Sequence, residues 1–133
     1  MFGSHTSPAR AYADLGRESD INTASPHRLI VLLFEGAETA INVAKVHAER
    51  GNIAERGASL SKAIDIISNG LKVSLDMEKG GILAARLAAL YDYMVSRLLF
   101  ANMKNDIAAM KEVLSLLGEI HDAWNQIDPD KQK

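Results

Sequence analysis

The chain has 133 residues, a formal net charge of −2, and a composition that is 47% hydrophobic, 24% charged and 5% aromatic. These values fit one soluble globular domain and exclude a wholly disordered chain, and the few aromatic residues favour a helical core of Leu, Ile, Ala, Val and Met. The interspersed acidic and basic residues argue against nucleic acid as a partner, and the absence of cysteine excludes disulfides, thiolate catalysis and cysteine-ligated metals.

The first 20 residues are rich in Ser, Ala, Gly, Arg and Asp and have only weak apolar periodicity. We predict that residues 1–20 form a mobile N-terminal arm, which carries Tyr12. The initial MFGSHTSPAR lacks the apolar centre of a signal peptide, and no run of about eighteen apolar residues occurs in the chain. We therefore expect a cytoplasmic protein without membrane insertion.

The first two predicted helices are recognised by the residues at their ends. Ser25 supplies a capping hydroxyl, Pro26 suits the first helical position, and Gly51 ends this helix after about residue 50. The second helix begins at residue 52 or 53 and runs to about residue 77, before two consecutive glycines at residues 80 and 81. Spacings of three and four give it one buried stripe, formed by Leu60, Ala63, Ile64, Ile67, Leu71 and Leu75.

Two further helices complete the predicted set. The third spans about residues 82–102, and its inward stripe consists of Leu83, Leu87, Leu90, Met94, Leu98 and Ala101. The fourth is capped by Asn105 or Asp106 and continues to about Ile127, where Asp128-Pro129 stops it. Its apolar seam consists of Ile107, Met110, Leu114, Leu117, His121 and Trp124.

Helices of about twenty to twenty-five residues with short connections must lie antiparallel to their sequence neighbours. No segment has the pattern of a strand. The sequence therefore predicts an all-α protein, an antiparallel up-down-up-down four-helix bundle over residues 21–128, with the mobile arm before it and a disordered tail over residues 129–133.

The chain lacks the residue patterns of the common catalytic and metal sites. Glu-x-x-His pairs, which build di-iron sites in helical bundles, do not occur, and the four histidines are scattered singly. A phosphate-binding glycine loop and a nucleophile elbow are also missing. We expect no enzyme, no cofactor and no metal site. His121 lies on the seam of the fourth helix, either as a rim histidine bonded to a neighbouring helix or as a pH-sensitive contact.

The sequence contains more apolar residues than the interior of a bundle requires. LIVLLF, residues 29–34, is apolar in every direction around a helix axis, whereas a bundle helix needs about three apolar positions in seven. Tyr91 and Tyr93 are about 200° apart on a helix, so one of them must point away from the core. Residues that lie off or beside the predicted stripes also include Leu99, Phe100, Val113, Leu116 and Ile120.

Three interpretations of this apolar excess remain open. The residues broaden the packing between helices or lie under the N-terminal arm; they form a groove for apolar helical segments of another chain; or they bury a homodimer interface in a self-associating structural bundle. The third interpretation is our alternative to a binding function, and an enzyme such as a metal-bundle oxidase ranks below both.

Two long motifs resemble one known family. INTASPHRLIVLLFEG is followed about fifty residues later by LYDYMVSRLLFANMKND, and LSKAIDIISNGLK, MEKGGILAARL and DAWNQI also look like segments of the flagellar secretion chaperone FliS family. The resemblance implies a four-helix bundle that binds the disordered C-terminal segment of flagellin in the cytoplasm. It further implies that such a chaperone prevents premature polymerisation and delivers flagellin to the cytoplasmic domain of the type III export gate, without catalysis or cofactors.

The resemblance also implies site residues. Those carried over by position as flagellin-binding residues, of which we expect some to contact cargo and others to lock the bundle, are Ile21, Asn22, Thr23, Ala24, Leu29, Leu32, Phe34, Tyr91, Tyr93, Met94, Arg97, Leu98 and Asn102. Tyr12 matches the tyrosine implied to dock at the export gate. We expect a monomer or weak homodimer, with an anti-sigma factor or a co-chaperone as possible further partners.

Overall fold

The structure is a computed structural model, and it describes residues 24–127. The predicted arm, its Tyr12 and the predicted tail therefore lie outside the described residues. Within residues 24–127 the chain is helical without strands, which confirms the prediction of an all-α four-helix bundle. The helices are α1 (Pro26–Arg50), α2 (Ile53–Ile66), α3 (Met77–Lys104) and α4 (Ile107–Gln126), and α2 continues as a π-helical segment over Ile67–Lys72.

Local capping chemistry sets most of these helix ends as predicted. The Ser25 hydroxyl accepts a hydrogen bond from the backbone N–H of Arg28, and Gly51 ends α1 in the left-handed conformation with φ 74°. At the turn between α3 and α4, Asn105 adopts φ 50° and Asp106 accepts the backbone N–H of Ala109. The predicted stop at residues 128–129 lies outside the described residues.

The predicted end of the second helix, at residue 77, was wrong. The Ser74 hydroxyl donates to the carbonyl oxygen of Gly70 where the π-helical segment turns, and Asp76 accepts the backbone N–H of Lys79. Because Asp76 is a good N-cap, Met77 begins α3 instead of ending α2. The glycine pair therefore lies inside the first turns of α3, and Gly81 interrupts the helix with φ 53° and ψ −129°.

Gly81 provides a sharp test of this interruption. An alanine Cβ at this position would meet no atom within 4 Å, so only the backbone conformation opposes it. Gly81→Ala should lower the free energy of unfolding by about 1–3 kcal/mol, because that conformation is nearly restricted to glycine. Gly118 lies in α4 with equally open space and is the control: Gly118→Ala should raise stability by about 0.5–1 kcal/mol. Urea unfolding measures both, and equal stabilisation by the two alanines would contradict the interruption.

Contacts give opposite chain directions for two of the helix pairs. Arg56 and Lys72, before α3, contact Asn102 and Asp92 of α3, and His27 and Phe34 of α1 contact Trp124 and His121 of α4. Each helix also packs against the next, and α4 packs against α1, which is compatible with an up-down-up-down bundle.

The predicted inward stripe of α3 was wrong at Leu83. Leu83 is 66% exposed, whereas Ala84 and Tyr91 are buried. The direction that faces the core passes through Ala84, Tyr91 and Leu98, each seven residues apart, and Leu83 lies about 100° away from it. Val113, which we expected beside the seam of α4, is fully buried in the core. The apolar surface that remains is therefore smaller than the sequence suggested, and it has a definite position.

Candidate functional site

The two tyrosines of α3 have different environments. Tyr91 is only 3% exposed and lies in the core, where burial raises its pKa to about 12. Tyr93 is 44% exposed, and its hydroxyl donates a hydrogen bond to Glu112 of α4. Tyr91 therefore holds the bundle together, and Tyr93 is the tyrosine that faces outward.

Tyr93 stands at one end of an apolar surface between α3 and α4. Arg97 donates from Nε to Glu112 Oε1 over 2.8 Å, which identifies the side of α3 that faces α4. Leu90 and Leu83 precede Arg97 by seven and fourteen residues, so they lie on the same side. We call the surface formed by Leu83, Leu90, Tyr93, Arg97, Glu112, Leu116 and Ile120 the α3–α4 groove.

The α4 side of this groove follows the same periodicity. Leu116 and Ile120 follow Glu112 by four and eight residues, and both are half-buried against the core, as is Leu90. Leu83 is mostly exposed at the far end. The α3–α4 groove is thus a partly exposed apolar strip about three helical turns long, with polar side chains at one end.

Glu112 organises that polar end. It accepts hydrogen bonds from the Tyr93 hydroxyl and from Arg97, and these two bonds lower the pKa of Glu112. The same bond to Glu112 raises the pKa of Tyr93. The Arg97 guanidinium also lies over the ring of Phe100, with its Cζ 4.9 Å from the ring centroid. The sequence does not single out Glu112, because its position opposite Tyr93 depends on the register between two helices.

Most of the predicted site residues of α1 are buried, and we call the partly accessible position around Leu29 the α1 surface. Leu29 and Leu32 form a small cluster separate from the main core, in which Leu32 is buried and Leu29 is half-buried. Phe34 is buried and stacks on the His121 ring, with the centroids 5.2 Å apart. Ala24 is half-buried just before the cap of α1. The neighbouring predicted residues, Ile21, Asn22 and Thr23, lie outside the described residues.

The remaining predicted residues lie inside the bundle or hold its helices together. Met94 and Leu98 are fully buried. Asn102 accepts two hydrogen bonds from Arg56 of α2, at its side-chain oxygen over 3.1 Å and at its backbone oxygen over 2.8 Å. Asn105 accepts a third from the same guanidinium over 2.7 Å. Arg56 thereby ties α2 to the carboxyl end of α3.

Two histidines join α1 to α4. His27 donates from Nε2 to the carbonyl oxygen of Trp124, the indole N–H of Trp124 donates to the carbonyl oxygen of His27, and the two rings stack 4.7 Å apart. His121 Nδ1 lies 3.1 Å from Glu38 Oε1. His121 is therefore a rim histidine bonded to a neighbouring helix, the first of the two interpretations above.

Glu38 gives this α1–α4 contact a pH dependence. Burial raises the pKa of Glu38; His121 opposes that rise, and the nearby carboxylates of Glu35 and Asp122 add to it. A carboxyl group whose pKa is raised by folding contributes stability below its unfolded value of 4.5, and that contribution is lost as the pH rises through the folded pKa.

Glu38→Gln should therefore gain stability relative to the wild type as the pH rises above 4.5, since the amide remains neutral. Urea unfolding at a series of pH values measures this difference in unfolding free energy. Glu119→Gln is the control, because Glu119 is exposed on α4. The stability gained by Glu38→Gln over the wild type should grow with pH. A gain that is independent of pH, or that shrinks with rising pH, would show that burial does not raise the pKa of Glu38.

The described part of the chain offers little for other kinds of site. Within residues 24–127, no group of three or more His, Asp or Glu side chains is arranged to hold a metal ion. Among the helices of the same range, none combines the length and the apolar character that a membrane span requires.

Comparison with known proteins identifies the family. The family described as flagellar protein FliS matches residues 8–131. The chain is 52% identical to the flagellar secretion chaperone FliS of Salmonella typhimurium over 90% of this chain and 89% of the relative, and 47% identical to that of Escherichia coli over 88% and 86%. Identity to the Bacillus subtilis chaperone of the same name is 31%, over 88% and 86%. The chain therefore belongs to the FliS family, a family of flagellar secretion chaperones and not of enzymes.

Proposed function

We propose that this protein is a cytoplasmic export chaperone that binds the disordered C-terminal segment of flagellin. It prevents premature polymerisation and delivers flagellin to the flagellar type III export gate. The observation that carries this proposal is the α3–α4 groove, an open apolar strip with a polar end on a bundle whose relatives are named flagellar secretion chaperones. A groove of this kind suits an amphipathic helix that lays its apolar face between two helices.

The predicted site residues divide into two roles in this proposal. Tyr93 and Arg97 are accessible at the polar end of the groove and contact the cargo, and Leu29 contributes a second contact on α1. The other described members of the predicted set keep the two surfaces in shape through burial or hydrogen bonding; they are Ala24, Leu32, Phe34, Tyr91, Met94, Leu98 and Asn102. Ile21, Asn22 and Thr23 are further cargo contacts in the proposal.

The energetics of such a complex favour binding that can be reversed. Burial of apolar surface contributes about 25 cal/mol per Å², so a cargo helix that fills a strip of this length gains several kcal/mol. Ordering a disordered peptide offsets much of that gain. A chaperone that must release its cargo at the export gate needs this balance. We further propose that Tyr12 docks at the cytoplasmic domain of the gate, and that an anti-sigma factor or a co-chaperone binds in addition to flagellin.

Calorimetric titration with a peptide of the flagellin C-terminal segment from the same organism tests the proposal. We expect a one-to-one complex with a negative change in heat capacity, because apolar surface is buried. Tyr93→Ala should weaken binding, whereas Leu99→Ala is the matched control, since Leu99 is exposed on α3 but lies about 120° around the helix from Tyr93. A concentration-dependent dimer that does not bind the peptide would instead support the self-associating bundle.

A further inference from the structure

We infer that Arg97 is a carboxylate-binding residue, which selects cargo helices that carry an acidic side chain beside their apolar stripe. This inference rests on the proposed function and adds the chemistry of the partner at the same groove. It is based on two observations: Glu112 and Phe100 hold the Arg97 side chain in place, and the two Nη atoms of its guanidinium are left for a ligand.

Two neighbours fix the Arg97 guanidinium. Its Nε donates to Glu112 over 2.8 Å, and its Cζ lies over the Phe100 ring, 4.9 Å from the centroid. Glu112 is itself held by the Tyr93 hydroxyl. Because an arginine side chain loses much rotamer freedom when it binds a ligand, prior fixation on both sides lowers the entropic cost of that binding. Arg97 is therefore oriented before any partner arrives.

The terminal edge of the same guanidinium is left for a ligand. Within residues 24–127, neither Nη1 nor Nη2 of Arg97 has a hydrogen-bond partner, and the side chain is 29% exposed. Asp106 acts on Arg97 electrostatically, but its carboxylate accepts the backbone N–H of Ala109 at the start of α4. Two parallel N–H groups in one plane match the two oxygens of a carboxylate, which a lysine ammonium cannot do.

Charges along the groove set the orientation of the cargo helix. Arg86 is exposed eleven residues before Arg97, which places it about three turns away on the same side of α3. Glu119 is exposed seven residues after Glu112, on the corresponding side of α4. Arg86 therefore adds an exposed positive charge to the α3 side of the groove, and Glu119 adds an exposed negative charge to the α4 side. A helix in the groove would turn its acidic side chains toward α3, because the reverse orientation would oppose like charges.

A double-mutant cycle tests the inference. The probes are the flagellin C-terminal peptide of the same organism and versions in which each Asp or Glu is replaced singly by Asn or Gln. One replacement should weaken binding to the wild type about tenfold, the size expected for a charge-assisted hydrogen bond. Arg97→Gln should weaken binding of the unmodified peptide by the same factor and show no further loss with that peptide variant. Arg97→Lys should recover only part of the affinity.

The experiment distinguishes a failure of the proposed function from a failure of the carboxylate inference. If the wild type does not bind the unmodified peptide, the proposed function fails. If the peptide binds but every neutralised version binds the wild type equally well, the carboxylate inference is wrong and the function stands. If Arg97→Gln weakens all peptides equally, Arg97 only shapes the groove, which also contradicts the inference. Thermal unfolding of each variant ensures that affinities are compared between folded proteins.

Discussion

Replacing Leu98 with alanine should lower the free energy of unfolding by about 2–5 kcal/mol, the range for removing a fully buried leucine side chain. Leu98 is 0% exposed and belongs to the same core cluster as Phe34 and Met110. The loss combines the transfer of apolar groups from water with the cavity that remains, and that cavity would lie on the core-facing side of α3. This is one of the two largest stability effects that we expect from a single substitution.

Leu99 provides the matched control for this prediction. It is the next residue of the same helix and is 57% exposed, so Leu99→Ala should change the free energy of unfolding by less than about 0.5 kcal/mol. Urea unfolding of both variants under identical conditions measures the difference. Equal losses of unfolding free energy for the two variants would mean that Leu98 does not face the core. The distinction between site residues that hold the bundle together and those that contact cargo would then be wrong.

Replacing Arg56 with alanine should also destabilise the protein strongly, by about 2–4 kcal/mol. Arg56 is 8% exposed, and its guanidinium donates three hydrogen bonds to Asn102 and Asn105. Its loss leaves the acceptors at the carboxyl end of α3 unpaired, and hydrogen bonds to charged groups are stronger than neutral ones. The positive charge at the end of α3 is also lost, and it interacts favourably with the helix dipole.

Two further variants separate these contributions. Arg56→Lys keeps the charge but not the planar fork of donors, so we expect a loss of intermediate size. Lys62→Ala removes an exposed cation from the same helix and should have almost no effect. Thermal and urea unfolding give the order of stability. If Arg56→Ala and Lys62→Ala unfold at the same temperature and the same urea concentration, the hydrogen bonds from Arg56 to the end of α3 contribute no measurable stability.

The parts of the fold that could be predicted depend on local chemistry. Ser25, Pro26 and Gly51 fix the limits of α1, because each acts through its own backbone or its nearest neighbours. The end of α2 was mispredicted because apolar residues continue through the π-helical segment, whereas a capping aspartate, Asp76, starts the next helix. Competing local signals of this kind are settled by tertiary packing, which spacing alone does not reveal.

The candidate site was predictable to a similar degree. The spacing of Tyr91 and Tyr93 required one of them to face outward, but the choice between them follows from the direction of the core, which the structure sets through Ala84 and Leu98. Glu112 carries no signal in the sequence, since its contacts with Tyr93 and Arg97 arise only when α3 and α4 pack in one register.

A nuclear magnetic resonance titration of the isotope-labelled protein with the flagellin C-terminal peptide tests the groove most directly. We expect the backbone signals of Leu90, Tyr93, Leu116 and Ile120 to shift and to reach saturation at one equivalent of peptide. Signals of Lys62, on the exposed side of α2, should remain unchanged. Shifts that are absent at saturating peptide, or that occur only away from the α3–α4 groove, would contradict its assignment as the flagellin-binding surface.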